Sequence, residues 1–191
     1  MRVGVLALQG AFREHMLVLE ALGASTTAVR LPEQMDGLSG LVIPGGESTA
    51  IAKLMRTYGF YDAIRASCQQ GMAVWGTCAG AILMAREIGD ARPDQEPLGL
   101  IDMVVRRNAY GRQVDSFEVP LDFAHIGGPF PGVFIRAPLI EQVGDGVEIV
   151  AEHDGRIVAA REGAMLATTF HPELTGDPRV HRYFVERVIA A

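Results

Sequence analysis

The chain has 191 residues, of which 49% are hydrophobic and 21% are charged, a composition typical of a globular domain whose core needs no disulfide or metal support. Its formal net charge is −6, and the basic cluster of Arg106, Arg107 and Arg112 is small, which argues against nucleic acid or an anionic membrane as the main partner. Two cysteines, Cys68 and Cys78, are too few for a disulfide framework and predict a reducing compartment.

The apolar run at residues 3–8 ends at Gln9-Gly10 without a cleavage site after it, so it predicts a buried strand rather than a signal peptide. No stretch approaches the ~20 apolar residues that a membrane-spanning helix needs. We therefore expect a cytoplasmic protein formed by a single domain over residues 1–191.

The first half of the chain alternates short apolar runs with segments of helical spacing. The runs predict strands at residues 3–8, 26–29, 41–43 and 72–75, and the spacing predicts helices over residues 11–22, 48–55 and 61–70. Ser48 or Thr49 is the predicted cap of the second helix. This β-α-β-α-β rhythm favours a mostly parallel sheet with helices on both faces.

From residue 98 onward the pattern changes to strands joined by turns. The predicted strands cover residues 98–107, 114–119, 133–137, 147–152, 156–161 and 165–170, and a closing helix covers residues 178–190. His153-Asp154-Gly155 and Glu162-Gly163 are typical of hairpin connections. Residues 90–97 are polar and contain proline, which indicates a surface loop.

The segment Gly76-Thr77-Cys78-Ala79-Gly80 joins the predicted strand at residues 72–75 to a segment of helical character. A Gly-x-Cys-x-Gly turn in this position is the cysteine counterpart of a nucleophile elbow, in which side chains at the two glycines would collide with neighbouring elements or with substrate. The sulfur would lie near a helix N-terminus, whose partial positive charge favours the thiolate. A buried structural cysteine in a tight turn is the alternative.

Three predicted strand ends carry residues suited to a ligand: Gln9-Gly10, Pro44-Gly45-Gly46-Glu47-Ser48 and Gly76-Thr77-Cys78. Open α/β sheets bind ligands outside the carboxyl ends of their strands. Glycines in the second segment let backbone N–H groups approach a ligand, as an oxyanion hole or an anion nest requires. A phosphate-binding loop competes with this interpretation, although neither a Walker pattern nor Gly-x-Gly-x-x-Gly is present. A plain tight turn is the other alternative.

His171 is the histidine best placed to serve a cysteine nucleophile as its base. It follows the predicted strand at residues 165–170 and precedes Pro172, which biases it toward an extended conformation. Residues two apart then project to the same side, so the carboxylate of Glu173 would hold one imidazole nitrogen while the other faces a thiol. A solvated polar strand end is the alternative. The other four histidines fall on predicted helices (His15, His181), in a loop (His125) and in a hairpin turn (His153).

Three of these motifs together resemble the class I (triad) glutamine amidotransferases: Pro44-Gly45-Gly46-Glu47-Ser48, Gly76-Thr77-Cys78-Ala79-Gly80 and His171-Pro172-Glu173. The sequence is most similar to the glutaminase subunits of pyridoxal 5'-phosphate synthase, over nearly the whole chain. The further segments that carry this similarity are residues 4–10, 13–15, 107–108, 110–118, 132–138 and 171–175. The resemblance implies a three-layer, flavodoxin-like α/β domain with a mostly parallel central sheet flanked by helices.

The resemblance also implies site residues. Cys78, His171 and Glu173 would form a catalytic triad that hydrolyses L-glutamine through a cysteine thioester. Backbone N–H groups of Gly46 and Ala79 would form the oxyanion hole. The residues implied to contact glutamine are Gly46, Glu47, Ser48, Arg107, Ile135 and Arg136. No metal or cofactor is implied, and Cys68 is given no role.

The same resemblance implies a partner protein that receives the ammonia. Ammonia released into water would be largely protonated and lost to further reaction. The family passes it internally to a synthase subunit (PdxS), a (β/α)₈ barrel, in a large hetero-oligomer that makes pyridoxal phosphate from a pentose phosphate and a triose phosphate. Docking of this partner organises the oxyanion hole in the family. We expect Gln9-Gly10 and the first helix to take part.

Three alternatives stay open. The first is a cysteine hydrolase or chaperone-like protein of the related α/β group, which need not carry both the Pro44–Ser48 motif and His171-Pro172-Glu173. The second is a non-catalytic binding or regulatory subunit, against which the presence of all three triad residues argues. The third is a glutaminase that serves a different synthase, such as the histidine-pathway one, against which residues 107–118 argue by resemblance alone.

Overall fold

The computed structural model describes residues 1–92, 95–107 and 116–190. Several features named above lie outside these ranges: Arg112, residues 108–115 of the family-like segment, the first two residues of the strand predicted at 114–119, and positions 93–94 of the predicted loop. Within the described ranges, no helix is both long and apolar enough to cross a membrane.

The described elements alternate in the first half of the chain and become strand-rich in the second. The strands are β1 (Arg2–Leu6), β2 (Ser25–Val29), β3 (Gly40–Ile43), β4 (Ala73–Thr77), β5 (Ala85–Ile88), β6 (Ile101–Arg106), β7 (Ser116–Asp122), β8 (Pro129–Ile135), β9 (Leu139–Val143), β10 (Glu148–His153), β11 (Arg156–Glu162) and β12 (Met165–Thr168). The helices are α1 (Phe12–Ala21), α2 (Ser48–Thr57), α3 (Phe60–Gln69), α4 (Ala79–Met84) and α5 (Arg179–Tyr183), which continues as a π-helical stretch (Phe184–Val188). Short 3₁₀ turns cover Pro32–Met35 and Pro172–Leu174.

The central sheet has a parallel half and an antiparallel half. Strands β2, β1, β3, β4 and β12 lie side by side in that order and run parallel. The sheet then continues through β11, β9 and β6, which pair antiparallel, and ends at β5, which is parallel to β6. Strand β10 pairs with β11, while β7 and β8 form a separate hairpin. The predicted mostly parallel sheet is confirmed, and the antiparallel pairs follow from the turn-rich second half of the chain.

Apolar side chains cover both faces of the sheet, because its inner strands are buried on both sides. On one face, α2, α3 and α4 contribute Ile51, Phe60 and Leu83 to a single core cluster. On the other, α1 and the β7–β8 hairpin pack with α5 and its π-helical extension in a second cluster that contains Leu19 and Phe134. This gives the helices-on-both-faces arrangement that the sequence rhythm predicts.

The elements differ from the sequence predictions at a few places. Strands β5 and β9 were not predicted, and the closing helix changes to π-helical geometry at Phe184. Capping of α2 by Ser48 or Thr49 is wrong, because the carboxylate of Glu47 accepts the backbone N–H groups of Thr49 and Ala50. The two predicted hairpins, β10–β11 and β11–β12, are confirmed.

Candidate active site

Cys78 lies in a strained turn between β4 and α4. Its φ is +49°, in a region that non-glycine residues seldom adopt, and its N–H donates to the carbonyl of Thr168 on β12 at 2.8 Å. A Cβ at Gly76 would lie 2.5 Å from the backbone of Gly80, and one at Gly80 would overlap the carbonyl oxygen of Ile43. The glycines therefore let β4, α4 and β3 come close enough to hold the cysteine in this conformation.

His171 and Glu173 follow β12, the neighbour of β4. The backbone N–H of His171 donates to the carbonyl of Val133 on β8 at 2.8 Å, and its Nδ1 lies 2.8 Å from Oε1 of Glu173. Both residues are buried. The pairing was predicted from an extended strand end, but residues 172–174 form a 3₁₀ turn, which brings the carboxylate back to the imidazole.

The imidazole of His171 lies between the sulfur of Cys78 and the carboxylate of Glu173. Burial disfavours its charged form, but hydrogen bonds to Cys78 and Glu173 and the negative charges of both raise the pKa of His171 to about 10. A Cβ at Gly45 would lie 2.5 Å from Cε1 of His171 and 3.3 Å from Cβ of Cys78, so only glycine fits against this pair. The structure thus brings the three residues together at the carboxyl edge of the sheet.

The loop after β3 is held by the strand ends on either side. The N–H of Gly45 donates to Oγ1 of Thr77 at 3.0 Å, and its carbonyl accepts the N–H of Ala11 at 3.0 Å. The N–H of Glu47 donates to Oε1 of Gln9 at 2.8 Å. These bonds fix the backbone on both sides of Gly46, where the sequence predicts an oxyanion donor.

An open cavity of about 440 Å³ lies at this edge and is lined by Cys78, Ala79 and His171. All six predicted glutamine contacts also line it: Gly46, Glu47, Ser48, Arg107, Ile135 and Arg136. Glu173 is behind His171 and does not line it. A larger surface groove of about 560 Å³, beside Arg161 and Glu186, contains none of the predicted site residues.

The cavity is lined by charged side chains and by strained backbone. Hydrogen bonds from Thr49 and Ala50 outweigh burial and lower the pKa of Glu47, so its carboxylate is ionised while it caps α2. Arg136 has a φ of +45°, a second strained non-glycine residue at the cavity. The carbonyl of Ile135 lies 3.9 Å from the sulfur of Cys78. The cavity therefore offers an anionic group, cationic groups and backbone acceptors around the sulfur of Cys78.

Gln95 is a site residue that the sequence did not reveal. Its side chain is only 4% exposed although it lies in the predicted surface loop. Its Nε2 donates to Oγ of Ser48 at 3.0 Å, and its Oε1 accepts a hydrogen bond from Nη1 of Arg107. The buried side-chain amide of Gln95 therefore links Ser48 and Arg107, two of the residues predicted to contact the substrate. A single Gln residue in a polar loop has no sequence pattern that would predict this link.

The fold and the cavity define a glutamine amidotransferase. A crystal structure described as a glutamine amidotransferase superposes with a TM-score of 0.93 at 50% identity and covers 99% of each chain. The PurLQS structure from Thermotoga maritima, at 17% identity and a TM-score of 0.74, shares the fold over 96% of this chain and 97% of its own. The sequence model of the SNO glutamine amidotransferase family matches residues 5–190, and the chain belongs to this family.

Curated relatives extend over nearly the whole chain. The pyridoxal 5'-phosphate synthase subunit PdxT of Nocardia farcinica is 55% identical and covers 99% of this chain and 86% of its own length. The subunit of the same name from Pelotomaculum thermopropionicum is 56% identical and covers 100% of this chain and 97% of its own. That from Mycobacteroides abscessus is 55% identical, with coverage of 98% and 97%.

Proposed function

We propose that this chain is the glutaminase subunit of a pyridoxal 5'-phosphate synthase and that residues 1–191 act as one amidotransferase domain. The main support for this reaction is that Cys78, His171 and Glu173 lie together at a cavity of about 440 Å³. The imidazole of His171 is buried there, and its pKa is raised to about 10. The name shared by relatives at 55–56% identity supports the choice of synthase.

In the first half of the reaction, the thiolate of Cys78 attacks the side-chain amide carbon of L-glutamine. The protonated imidazole of His171 gives its proton to the amide nitrogen as the C–N bond breaks, so ammonia leaves and a thioester remains. The raised pKa of His171 supports this role, because the imidazole beside the sulfur carries a proton at neutral pH.

In the second half, neutral His171 removes a proton from water as the water oxygen attacks the thioester carbon. The C–S bond breaks, the new carboxyl group loses its proton to solvent, L-glutamate leaves and the thiolate–imidazolium pair returns. Glu173 accepts the Nδ1–H of His171, which keeps Nε2 directed at the reacting atoms and stabilises the charged imidazole.

Backbone and charged groups of the cavity bind the substrate in this proposal. The N–H groups of Gly46 and Ala79 receive the negative oxygen of the tetrahedral intermediate, a role that typically contributes about 3–4 kcal/mol per donor. The guanidinium groups of Arg107 and Arg136 suit the α-carboxylate, and the carboxylate of Glu47 suits the α-ammonium. Gly46, Ser48 and Ile135 complete the contacts.

The synthase subunit is the proposed partner, in a large cytoplasmic hetero-oligomer through which ammonia passes without release to water. The contact between Gln9-Gly10 and the loop at residues 45–47 supports a route by which docking reaches the oxyanion hole, because Gln9 holds the N–H of Glu47.

The test is a glutaminase assay of the purified chain with and without a synthase subunit. We expect weak hydrolysis alone and faster hydrolysis in the complex. Cys78→Ala should lower kcat by at least about 10³-fold, as loss of a nucleophile does in hydrolases of this type. Cys68→Ala is the matched control and should keep full activity, because burial raises the pKa of the Cys68 thiol to about 11 and it lies outside the cavity.

Two outcomes would contradict the proposal. Equal turnover with and without the synthase subunit would contradict the proposed coupling between glutamine hydrolysis and binding of that subunit. A Cys78→Ala chain that still supports pyridoxal phosphate formation with glutamine as sole nitrogen donor would contradict the proposed role of Cys78 as the nucleophile. Labelling of Cys78 by a glutamine-analogue diazoketone, blocked by glutamine, distinguishes a glutaminase from another cysteine hydrolase.

A further inference from the structure

Two buried histidines lie behind the triad. His15 on α1 and His181 on α5 are both 0% exposed, and Nδ1 of His15 lies 2.9 Å from Nε2 of His181. The ring of Trp75 packs edge-on against both, with centroid distances of 5.4 Å and 4.8 Å. No step of the proposed reaction uses either residue.

The second nitrogen of His15 faces the triad. Its Nε2 lies 3.4 Å from Oε2 of Glu173 and 3.2 Å from Oγ1 of Thr77. Oε1 of Glu173 is hydrogen-bonded to Nδ1 of His171. Oε2 is buried and makes no hydrogen bond of regular geometry within the described residues. The His15 ring therefore presents a nitrogen to the one carboxylate oxygen that the triad itself leaves without a donor.

Both histidines are neutral in the folded protein. Burial, followed by the charges of His181 and His171, holds the pKa of His15 well below its usual value, and burial lowers the pKa of His181 to about 3. Each ring then carries one N–H, so the contact with Glu173 is between a carboxylate and a neutral ring rather than an ion pair.

Only one arrangement of the protons gives every imidazole N–H of this histidine pair an acceptor or a facing oxygen within the described residues. If His15 carries its proton on Nδ1, the bare Nε2 faces a carboxylate, and His181 must then hold its own proton on Nδ1, which has no partner within the described residues. A buried N–H without an acceptor is costly. If both rings are protonated on Nε2, His181 donates to His15, and the Nε2–H of His15 donates to Thr77 and faces Oε2 of Glu173. The Nδ1 atom of His181 is then a lone pair rather than an N–H without an acceptor.

We propose that His15 is a positioning residue for Glu173: its Nε2–H holds the second carboxylate oxygen, and His181 fixes this tautomer by donating to Nδ1 of His15. The proposal rests on the proposed glutaminase function. Thr77, the other neighbour of His15 Nε2, accepts the N–H of Gly45, so the same ring also supports the loop that carries the Gly46 donor. His15 acts through these residues and does not line the cavity.

The kinetic consequence is a selective loss of kcat. Glu173 stabilises a charged imidazole that is needed most in the transition state, whereas glutamine contacts other residues. Loss of a hydrogen bond to a charged group then predicts a fall of about 10- to 100-fold in kcat, with KM for glutamine unchanged within about twofold.

The experiment compares His15→Leu, His15→Gln and Leu19→Ala in the complex with the synthase subunit. The glutamine side chain can place an N–H near the position of Nε2, so His15→Gln should recover most of the kcat that His15→Leu loses. Leu19 is also fully buried on α1 but belongs to the apolar core, so Leu19→Ala controls for general destabilisation and should keep kcat. Equal kcat losses in His15→Leu and Leu19→Ala, a change confined to KM, or no rescue by glutamine would overturn the proposal.

An NMR experiment tests the positioning role of His15 independently of the proposed glutaminase function. Long-range ¹⁵N–¹H correlation spectra of the imidazoles, recorded at neutral pH on the wild-type chain, should show His15 and His181 protonated on Nε2 and bare at Nδ1. A proton on Nδ1 of His15 would overturn the positioning role even if the enzyme is active. A wild-type complex that fails to hydrolyse glutamine would instead overturn the proposed function and leave the tautomer result standing.

Discussion

Gly80 illustrates how closely the backbone packs around Cys78. A Cβ at this position would overlap the carbonyl oxygen of Ile43, which is main chain and cannot rotate away. We expect Gly80→Ala to lower the free energy of unfolding by about 1–3 kcal/mol or more, as overpacking does in cores, and to lower glutaminase activity because Cys78 is displaced. Urea unfolding and the coupled assay measure the two effects.

Gly176→Ala is the matched control for this substitution. Gly176 has an ordinary φ and no heavy atom within 4 Å of an added Cβ, so its free energy of unfolding should stay within about 0.5 kcal/mol of wild type. Equal stability of the two variants would show that β3 and α4 can move apart at no cost.

The buried histidines make the stability of the fold depend on acidity. In the unfolded chain they titrate near pH 6.5, whereas burial lowers the pKa of His181 to about 3 and, with the charges of His181 and His171, holds that of His15 well below its usual value. Below about pH 6.5 the unfolded state binds protons that the folded state rejects, so stability falls with falling pH by up to about 1.4 kcal/mol per unit for each histidine. Urea unfolding between pH 7.5 and 5 tests this.

His171 acts in the opposite sense, because its pKa is raised to about 10 by hydrogen bonds and charges that outweigh burial. Its contribution to stability is complete below about pH 6.5 and is lost as the pH rises through about 10. The variant His181→Phe removes one of the two acid-sensitive groups, so its acid slope should be shallower by up to about 1.4 kcal/mol per pH unit while its alkaline slope is unchanged. Parallel acid slopes would contradict the assignment.

At the scale of elements, the loop between β5 and β6 is expected to control glutamine binding. Gln95 joins Ser48 on α2 to Arg107, which follows β6. Gln95→Met keeps the length of the side chain but removes both hydrogen bonds, so we expect KM for glutamine to rise about 5- to 30-fold with a smaller change in kcat, since uniform binding is lost.

Glu96→Gln is the control for this loop. Glu96 is the exposed neighbour of Gln95, and its carboxylate pairs with Arg65 and Arg56 on the outer surface. Exposed pairs contribute about 0–1 kcal/mol, so its KM should match wild type. A normal KM for Gln95→Met would show that Ser48 and Arg107 hold their positions without the amide.

The elements that the sequence predicted are those in which local pattern and burial agree. The buried parts of β1, β3 and β4 coincide with the apolar runs of the sequence at residues 3–6, 41–43 and 73–75. Strand β5 was missed because Arg86 and Glu87 face solvent at the sheet edge and the strand follows α4 without a turn. The cap of α2 was assigned to the wrong residue because Glu is seldom an N-cap.

At the scale of the whole molecule, the candidate site was predictable where short motifs carry chemistry of their own. Cys78, His171 and Glu173 could be chosen from the elbow and the His-Pro-Glu segment, while Arg107, Ile135 and Arg136 came only from resemblance. Gln95 and His181 had no such signal, and His15 was given no role although it lies in a segment that carries the resemblance. The roles of all three depend on contacts between elements that are far apart in sequence. Buried polar networks of this kind become visible only once the tertiary structure is known.

The place of β12 has a consequence during synthesis on the ribosome. Thr168 supplies the carbonyl that holds Cys78, and β12 covers one edge of β4. Until Met165–Thr168 has been translated, that edge exposes unpaired N–H and C=O groups, which favour association with other chains. We therefore expect nascent or prematurely terminated chains to be bound by chaperones or degraded by proteases. Because Cys78 lacks its hydrogen-bond partner in such chains, we also expect no glutaminase activity before Thr168 and Glu173 have been translated and have folded into place.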